Sequence, residues 1–138
     1  MRLISVFENF KRNITFLGDG VYDPNSFIGL WIDEGVWSDI EYWKLEKDLL
    51  NINSYYSNNS MIPRDILRGV MRITQLMFVP DWNDFSIYKK HELYTLDEDW
   101  GKPTIFDRYE RFKYVLGILF TDEINLDTQD FGYNLKFN

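Results

Sequence analysis

The sequence of 138 residues has no cysteine, a single histidine (His91) and no long apolar run. Without cysteine the chain can form no disulfide framework, no thiolate nucleophile and no sulfur-ligated zinc site. No stretch approaches the roughly 20 apolar residues of a membrane-spanning helix. Glu8, Lys11 and Arg12 interrupt the apolar N-terminal residues too early for a secretory signal. We therefore expect a cytoplasmic protein with no membrane partner that folds by packing alone.

Basic residues are scarce: 15 Lys and Arg stand against 22 Asp and Glu, which gives a net charge of −7. Phosphate backbones are repelled by such a chain, so nucleic acid is not predicted as a direct ligand. The same field would accelerate capture of a basic partner, such as a cationic nuclease domain, because complementary charge raises association rates. Acidic composition also serves solubility alone. Charge by itself leaves both interpretations open.

Residues for catalysis are equally few. His91 has no second imidazole or cysteine with which to share a metal, and the sequence contains no Gly-x-Ser-x-Gly elbow and no phosphate-binding loop. We predict no enzyme, no catalytic residue, no metal and no cofactor. Pairs among the 22 carboxylates leave one catalytic alternative, a carboxylate-dependent carbohydrate-active protein.

Aromatic residues are abundant, at 18% of the chain, and the length fits one domain spanning residues 1–138. The best-specified local structure is a pair of helices joined at Gly35. Asp23 and Pro24 are suited to open the first helix, and Gly35 is suited to end it in a left-handed conformation. Ser38 and Glu41 have the spacing of a capping box for the second helix.

Apolar spacing defines the faces of the helices. In the second helix of the pair, Tyr42, Leu45, Leu49 and Ile52 predict a buried stripe, with the charged residues 41, 44 and 46–48 mostly on the other side. Three further helices are predicted near residues 3–10, from Pro63 to about Met77, and from Thr104 to about Phe120.

The remaining segments add little regular structure. A small β element is predicted near residues 85–90 or in the C-terminal tail, and residues 92–100 are expected to form a short helix or a loop. The predicted fold is therefore mainly α, a single compact domain of four to five helices with at most that β element.

In the helix after Pro63, Arg64, Arg68 and Arg72 share one side, and we expect them to pair with acidic neighbours in the domain. Gly69 between them indicates either close helix approach or a minor irregularity of the helix.

Several runs of sequence resemble a family of bacterial immunity proteins from polymorphic-toxin and contact-dependent-inhibition systems. The resemblance lies mainly in FLGDGVYDPNSFIG from Phe16, DEGVW from Asp33 and EYWKL from Glu41, with IPRDIL from Ile62 and RYERFKYVL from Arg108 similar to later segments. It implies a non-catalytic cytosolic protein that binds and blocks the C-terminal domain of one cognate toxin. A general acidic adaptor or regulator of another protein is the main alternative.

An acidic surface with aromatic residues at its centre would suit occlusion of a basic toxin. Trp31 and Trp43 fall in helical register and are expected in the core. Trp37, Trp82 and Trp100 lie at element boundaries, where core and interface are both open. The predicted toxin-binding residues are Asp33, Glu34, Trp37, Asp39, Asp81, Trp82, Asp84, Asp97, Glu98, Asp99 and Trp100.

Overall fold

The computed structural model describes residues 7–14, 22–56, 61–77, 86–89, 92–94 and 105–121. The elements in chain order are α1 (Glu8–Arg12), α2 (Phe27–Glu34), β1 (Val36–Ser38), α3 (Asp39–Tyr56), α4 (Arg64–Leu76), β2 (Ser86–Lys89), β3 (Glu92–Tyr94) and α5 (Ile105–Ile118). The mainly helical class is confirmed. The C-terminal tail, the second place proposed for a β element, lies outside the described residues.

A small sheet of three strands accompanies the helices, in the order β1-β2-β3. β1 runs parallel to β2, with Val36 opposite Ser86, and β2 runs antiparallel to β3, with Ile87 opposite Tyr94. The strand predicted near residues 85–90 is therefore present as β2. The helix or loop predicted at the start of 92–100 is wrong for β3, and β1 was not predicted. Strands of three residues are too short to carry a period-two signal, so pairing alone defines them.

The start of α2 corrects one prediction. Ser26 is the N-cap, since its hydroxyl accepts a hydrogen bond from the Gly29 N–H at 3.0 Å. Asp23 lies in the preceding turn, where its carboxylate accepts from the Asn25 N–H at 2.9 Å. Both residues are good caps by type. The helix begins after the later of the two, and its first two residues, Phe27 and Ile28, are buried.

The junction between α2 and α3 agrees with the sequence. Gly35 has φ 64° at the end of α2, the left-handed conformation that favours glycine. The Ser38 hydroxyl accepts a hydrogen bond from the Glu41 N–H at 3.2 Å and so caps α3. β1 (Val36–Ser38) therefore lies between the Gly35 end of α2 and the first residue of α3.

The apolar stripe of α3 is confirmed, as Tyr42, Leu45, Leu49 and Ile52 are all buried. Two of the charged residues predicted on the other side are buried as well. Glu46 binds an arginine of α5, and the Asp48 carboxylate accepts hydrogen bonds from the backbone N–H groups of Asn9 and Phe10, at 2.8 and 2.9 Å. α1 has no side-chain cap of its own. Asp48 supplies that cap from a neighbouring helix.

Aromatic side chains fill the centre of the core. Phe27 contacts Trp37, Tyr42 and Phe112 edge to face, with ring centroids 4.7, 5.4 and 5.5 Å apart. Edge-to-face pairs of this kind contribute about 0.5–1.5 kcal/mol each beyond the burial of apolar area. Trp31 is buried beside them, as predicted, whereas Trp43 is only partly buried against the core. α2, α3, β1 and α5 thus share one aromatic cluster.

The predicted close approach at Gly69 is confirmed. A Cβ placed there would lie 2.5 Å from the Phe10 ring of α1. Because Phe10 is buried, its ring has little room to move. Gly69 therefore allows α4 to pack directly against α1.

Two other glycines allow a matched test of helix packing. A Cβ at Gly29 would lie 2.4 Å from the Asp23 carbonyl oxygen, whereas a Cβ at Gly117 would meet nothing within 4 Å. We expect Gly29→Ala to lower the free energy of unfolding by about 1–3 kcal/mol, because backbone atoms of the preceding turn must shift. Gly117→Ala should raise it by about 0.5–1 kcal/mol, because alanine is the better helix former. Urea denaturation of both variants measures the difference, and equal effects would contradict it.

Candidate functional site

Four of the eleven predicted toxin-binding residues fall in the described part of the chain, and they divide into two pairs. Asp33 and Glu34 are exposed at the C-terminal end of α2, whereas Trp37 and Asp39 are buried. The other seven lie outside the described residues and stay predictions: Asp81, Trp82, Asp84, Asp97, Glu98, Asp99 and Trp100.

Trp37 is a core residue, so its prediction as an exposed contact is wrong. Its ring lies 4.7 Å from Phe27, 5.6 Å from Trp31 and 5.1 Å from Tyr42, measured between centroids. Its position at an element boundary is a real feature of the sequence. However, the boundary is not an exposed loop. It is the strand β1, which pairs with β2, and the Trp37 side chain lies in the aromatic cluster.

Asp39 is also unavailable to a partner, and that prediction is wrong for a different reason. Its carboxylate accepts two hydrogen bonds from the Arg108 guanidinium, Nε to Oδ1 at 2.8 Å and Nη2 to Oδ2 at 2.9 Å. Both side chains are nearly fully buried. This two-point geometry neutralises the carboxylate inside the protein and joins the start of α3 to α5.

A second buried pair lies further along the same two helices. Arg111 donates from Nε and Nη2 to the Glu46 carboxylate, at 2.8 and 3.1 Å, and the Tyr42 hydroxyl donates to the same carboxylate at 2.9 Å. The guanidinium also lies 4.8 Å from the centre of the Trp43 ring. Glu46 is seven residues from Asp39 and therefore on the same face of α3. That spacing, with two arginines one turn apart on α5, is the signal that could have identified the pairs.

These buried carboxylates are not suited to acid–base chemistry. Each is bound by a guanidinium, and both side chains are buried away from any substrate in solution. Within the described ranges, no group of three or more His, Asp or Glu side chains is placed to hold a metal ion. The two pairs have a structural role, which is to join α3 to α5.

A partly exposed ion cluster links α1 to the helix pair. Arg12 donates to Asp23 at 2.9 Å and to Glu41 at 2.8 Å, and Glu41 also accepts from Lys44 at 2.9 Å. The Asn25 N–H and the Arg12 guanidinium hold the pKa of Asp23 below its ordinary value. Each of these charges already has a partner within the fold, so none is a strong candidate for recognition.

The exposed carboxylates at the end of α2 lie close to α4. The Tyr22 hydroxyl donates a hydrogen bond to Asp33 Oδ1 at 2.8 Å. Partial burial and this bond raise the pKa of Tyr22, while the nearby positive charge of Arg72 opposes the increase. Asp33, Tyr22 and Arg72 are thus neighbours, and the acidic end of α2 continues into the surface of α4.

The outward-facing side of α4 combines basic and apolar residues. Arg64, Arg68 and Arg72 are exposed on it, and so are Leu67 and Met71. The expected pairing with acidic neighbours is not seen for Arg64 or Arg68: within the described part of the chain, neither side chain has a carboxylate at ion-pair distance. We call this side, together with Met61 just before the helix, the outer face of α4.

An apolar groove of about 380 Å³ lies between α4 and α5. It is lined by Thr74, Met77, Tyr109, Phe112, Lys113 and Leu116. Apart from Lys113 and Thr74, these side chains offer aromatic or aliphatic surface, which fits an apolar side chain better than a polar ligand. No motif or spacing in the sequence predicts the groove, because its two walls come from helices far apart in the chain.

None of the described helices is long and apolar enough to cross a membrane.

Comparison with known proteins gives a family match. The family model described as Immunity protein 41 matches residues 12–133, which is most of the chain. No curated protein and no solved structure matches the sequence.

Proposed function

Since the chain belongs to the Immunity protein 41 family, we propose that it neutralises one cognate bacterial toxin domain by binding it. The family match is the observation that carries this proposal. The buried carboxylates of Asp39 and Glu46 are each paired with an arginine of α5, so these two groups hold the fold together. We propose binding without catalysis, in the cytoplasm.

The mode of action we propose is occlusion. A protein with net charge −7 attracts a basic partner from a distance, and clefts that act on nucleic acids are basic. A nuclease domain is accordingly the toxin class that best fits the charge. Among the described residues, Asp33 and Glu34 are the members of the predicted acidic surface that are exposed. The acidic and aromatic candidates at 81–84 and 97–100 remain part of this proposal.

Growth rescue with co-purification tests the function directly. The chain is co-expressed with the toxin domain encoded by the adjacent reading frame, and the expected result is that growth arrest is relieved and a stable one-to-one complex is recovered. Growth arrest that persists, with no complex, would reject the immunity function. A complex with an unrelated protein in place of the toxin would favour the adaptor alternative.

The acidic end of α2 can be tested by charge reversal. We expect Asp33→Lys with Glu34→Lys to slow association with the toxin by about 10-fold at low ionic strength, because steering by complementary charge acts mainly on the association rate. The difference from wild type should shrink as salt is raised, since exposed charges are screened. Stopped-flow or interferometry measures both quantities.

The matched control reverses two charges elsewhere. Glu8→Lys with Glu110→Lys gives the same net charge from α1 and α5 and should slow association much less. If both double variants slow association equally, steering comes from the net charge of the molecule and the end of α2 is not part of the contact. An unchanged rate in the first variant would also exclude the end of α2 from the contact, and it would show in addition that net charge does not steer association.

A further inference from the structure

We propose that the outer face of α4, together with the adjoining groove, is the anchoring part of the toxin interface. On the toxin we expect an apolar side chain that enters the groove, flanked by carboxylates that pair with the arginines. This assignment rests on the proposed function and adds to it the surface and the chemistry of the partner. It differs from the acidic surface considered above, because it expects a locally acidic and apolar segment on the toxin.

Apolar exposure is concentrated at α4. Five large hydrophobic side chains in the described residues are exposed, and three of them belong to this face: Met61 at 82%, Met71 at 66% and Leu67 at 40%. The buried stripe of the helix, from Ile66 to Met77, already supplies its packing with the core. The exposed side chains are therefore not needed for folding, and apolar residues clustered on one face are typical of a protein contact.

The groove continues this apolar strip. Thr74 lines the groove and is three residues after Met71, so the two side chains are neighbours on the helix surface. Leu67 and Met71 are likewise one turn apart. A partner resting on Leu67 and Met71 could thus extend a side chain into the space between Met77 and Phe112. An apolar groove beside exposed apolar side chains can receive an anchoring side chain of a partner, as at interface hot spots.

The arginines on the same face supply the polar part of the contact. α4 contains three arginines and no lysine. Arginine is enriched in protein interfaces, where its planar guanidinium binds carboxylates at two points, whereas lysine is depleted. Arg64 and Arg68 are exposed and have no ion pair among the described residues, in a chain that has an excess of seven acidic charges. The complementary surface is one that carries carboxylates.

The chemistry of this face favours a protein over a nucleic acid. A phosphate backbone would pair with the arginines but would give Leu67 and Met71 nothing to pack against, and the net charge of the molecule opposes it. A second copy of the chain fits poorly as well. In a symmetric dimer through this face, the same patch meets itself, which would bring two arginine rows together. A toxin with carboxylates around an apolar side chain can pair with the arginines and also pack against the apolar residues of this face.

The position of the face also fits a continuous interface. Arg72 lies near Tyr22, which is hydrogen-bonded to Asp33 at the acidic end of α2. A toxin covering α4 would therefore meet carboxylates at one border, arginines next, and the apolar strip and groove beyond them. Such an arrangement of negative and positive charges favours the cognate toxin over other proteins. A non-cognate protein would bring like charges together across the interface, which weakens binding.

Two double variants test the assignment in the complex with the toxin domain encoded by the adjacent reading frame. Arg64→Glu with Arg68→Glu removes the basic component, and Leu67→Gln with Met71→Gln removes the apolar one. We expect each to weaken toxin affinity by at least about 10-fold, the scale of a hot-spot loss. Isothermal titration calorimetry gives the affinity, and circular dichroism with thermal unfolding verifies that the variants are folded, as exposed helix positions allow.

Matched controls change the same chemistry elsewhere. Lys11→Glu with Lys47→Glu makes an equal change of net charge at exposed positions of α1 and α3, and Tyr55→Gln removes an exposed apolar side chain from α3. We expect each control to alter toxin affinity by less than about 2-fold, as is usual outside an interface.

The outcomes separate the two proposals. If the wild-type chain neither rescues growth nor binds the toxin, the proposed function fails and the assignment of α4 fails with it. If wild type binds and both α4 variants bind equally well, only the assignment of α4 is overturned. Loss of self-association or of duplex DNA binding in the α4 variants, with toxin affinity unchanged, would also overturn it and would identify a second copy or nucleic acid as the occupant.

Discussion

Replacement of Arg108 with methionine is expected to lower the free energy of unfolding by about 3–5 kcal/mol. The variant leaves the Asp39 carboxylate buried between α3 and α5 without the guanidinium that holds it at 2.8 and 2.9 Å. The guanidinium compensates this buried charge for its lost hydration, and methionine removes that compensation. The stabilisation lost is therefore much larger than the net contribution of the pair itself. For a domain of this size, such a loss is a large fraction of total stability.

Urea denaturation followed by tryptophan fluorescence measures the change. The exposed pair of Glu110 and Lys113, 3.4 Å apart, is the control, and Glu110→Gln should change stability by less than about 1 kcal/mol. The double variant Asp39→Leu with Arg108→Met should recover most of the loss, because a buried ion pair can be replaced by apolar residues at little cost. An Arg108→Met variant as stable as Glu110→Gln would mean that water reaches the pair.

Replacement of Trp37 with alanine should be comparably damaging, by about 3–5 kcal/mol, because it opens a large cavity among Phe27, Trp31 and Tyr42. The side chain is fully buried, and these neighbours belong to two helices, α2 and α3, that cannot both collapse into the space. Any loss of toxin neutralisation in this variant would follow from unfolding. Tyr55→Ala, which removes an exposed aromatic side chain, should cost less than about 1 kcal/mol.

A milder variant separates a core role from a contact role. Trp37→Phe keeps an aromatic ring in the cluster, and we expect it to stay folded with reduced stability and to bind the toxin as wild type does. Thermal unfolding and calorimetric affinity are measured on the same preparation. A folded Trp37→Phe protein that binds the toxin more than about 10-fold more weakly would return Trp37 to the interface.

Local signals in the sequence were reliable where short-range physics decides the structure. Gly35 and Ser38 were predicted as the end and the start of helices, and the backbone conformation and the hydroxyl hydrogen bond agree. The apolar spacing of Tyr42, Leu45 and Leu49 predicted the buried face of α3 for the same reason. A period of 3.6 residues needs no knowledge of what lies opposite.

Charged residues were assigned less well, because their burial depends on partners distant in sequence. Asp39 and Glu46 are buried by arginines 69 and 65 residues later in the chain. Composition shows only that such residues are ionised, which normally places them at the surface. The same limit applies to the predicted site. Asp33 and Glu34, which were predicted as toxin contacts, are exposed and stay predictions, whereas Asp39 could be assigned to the core only once α5 was known to lie beside it.

The short strands and the groove between α4 and α5 illustrate the third kind of failure. β1 has three residues and is defined by its pairing with β2, which lies far along the chain. The groove exists only because Met77 and Phe112 come together without filling the space between their helices. Neither feature has a period or a motif. Both are properties of tertiary packing. The toxin-binding surface that we propose on this chain includes the groove.

The hydrogen bonds from Asn9 and Phe10 to the Asp48 carboxylate constrain the order in which the chain acquires its structure. A helix of five residues cannot nucleate by itself in water, since its first turn costs more conformational entropy than its few hydrogen bonds return. α1 receives its missing cap from α3, which is long and carries its own start signal. We therefore expect α1 to be stable only with α3 beside it, so that during synthesis the N-terminal segment depends on residues made after it.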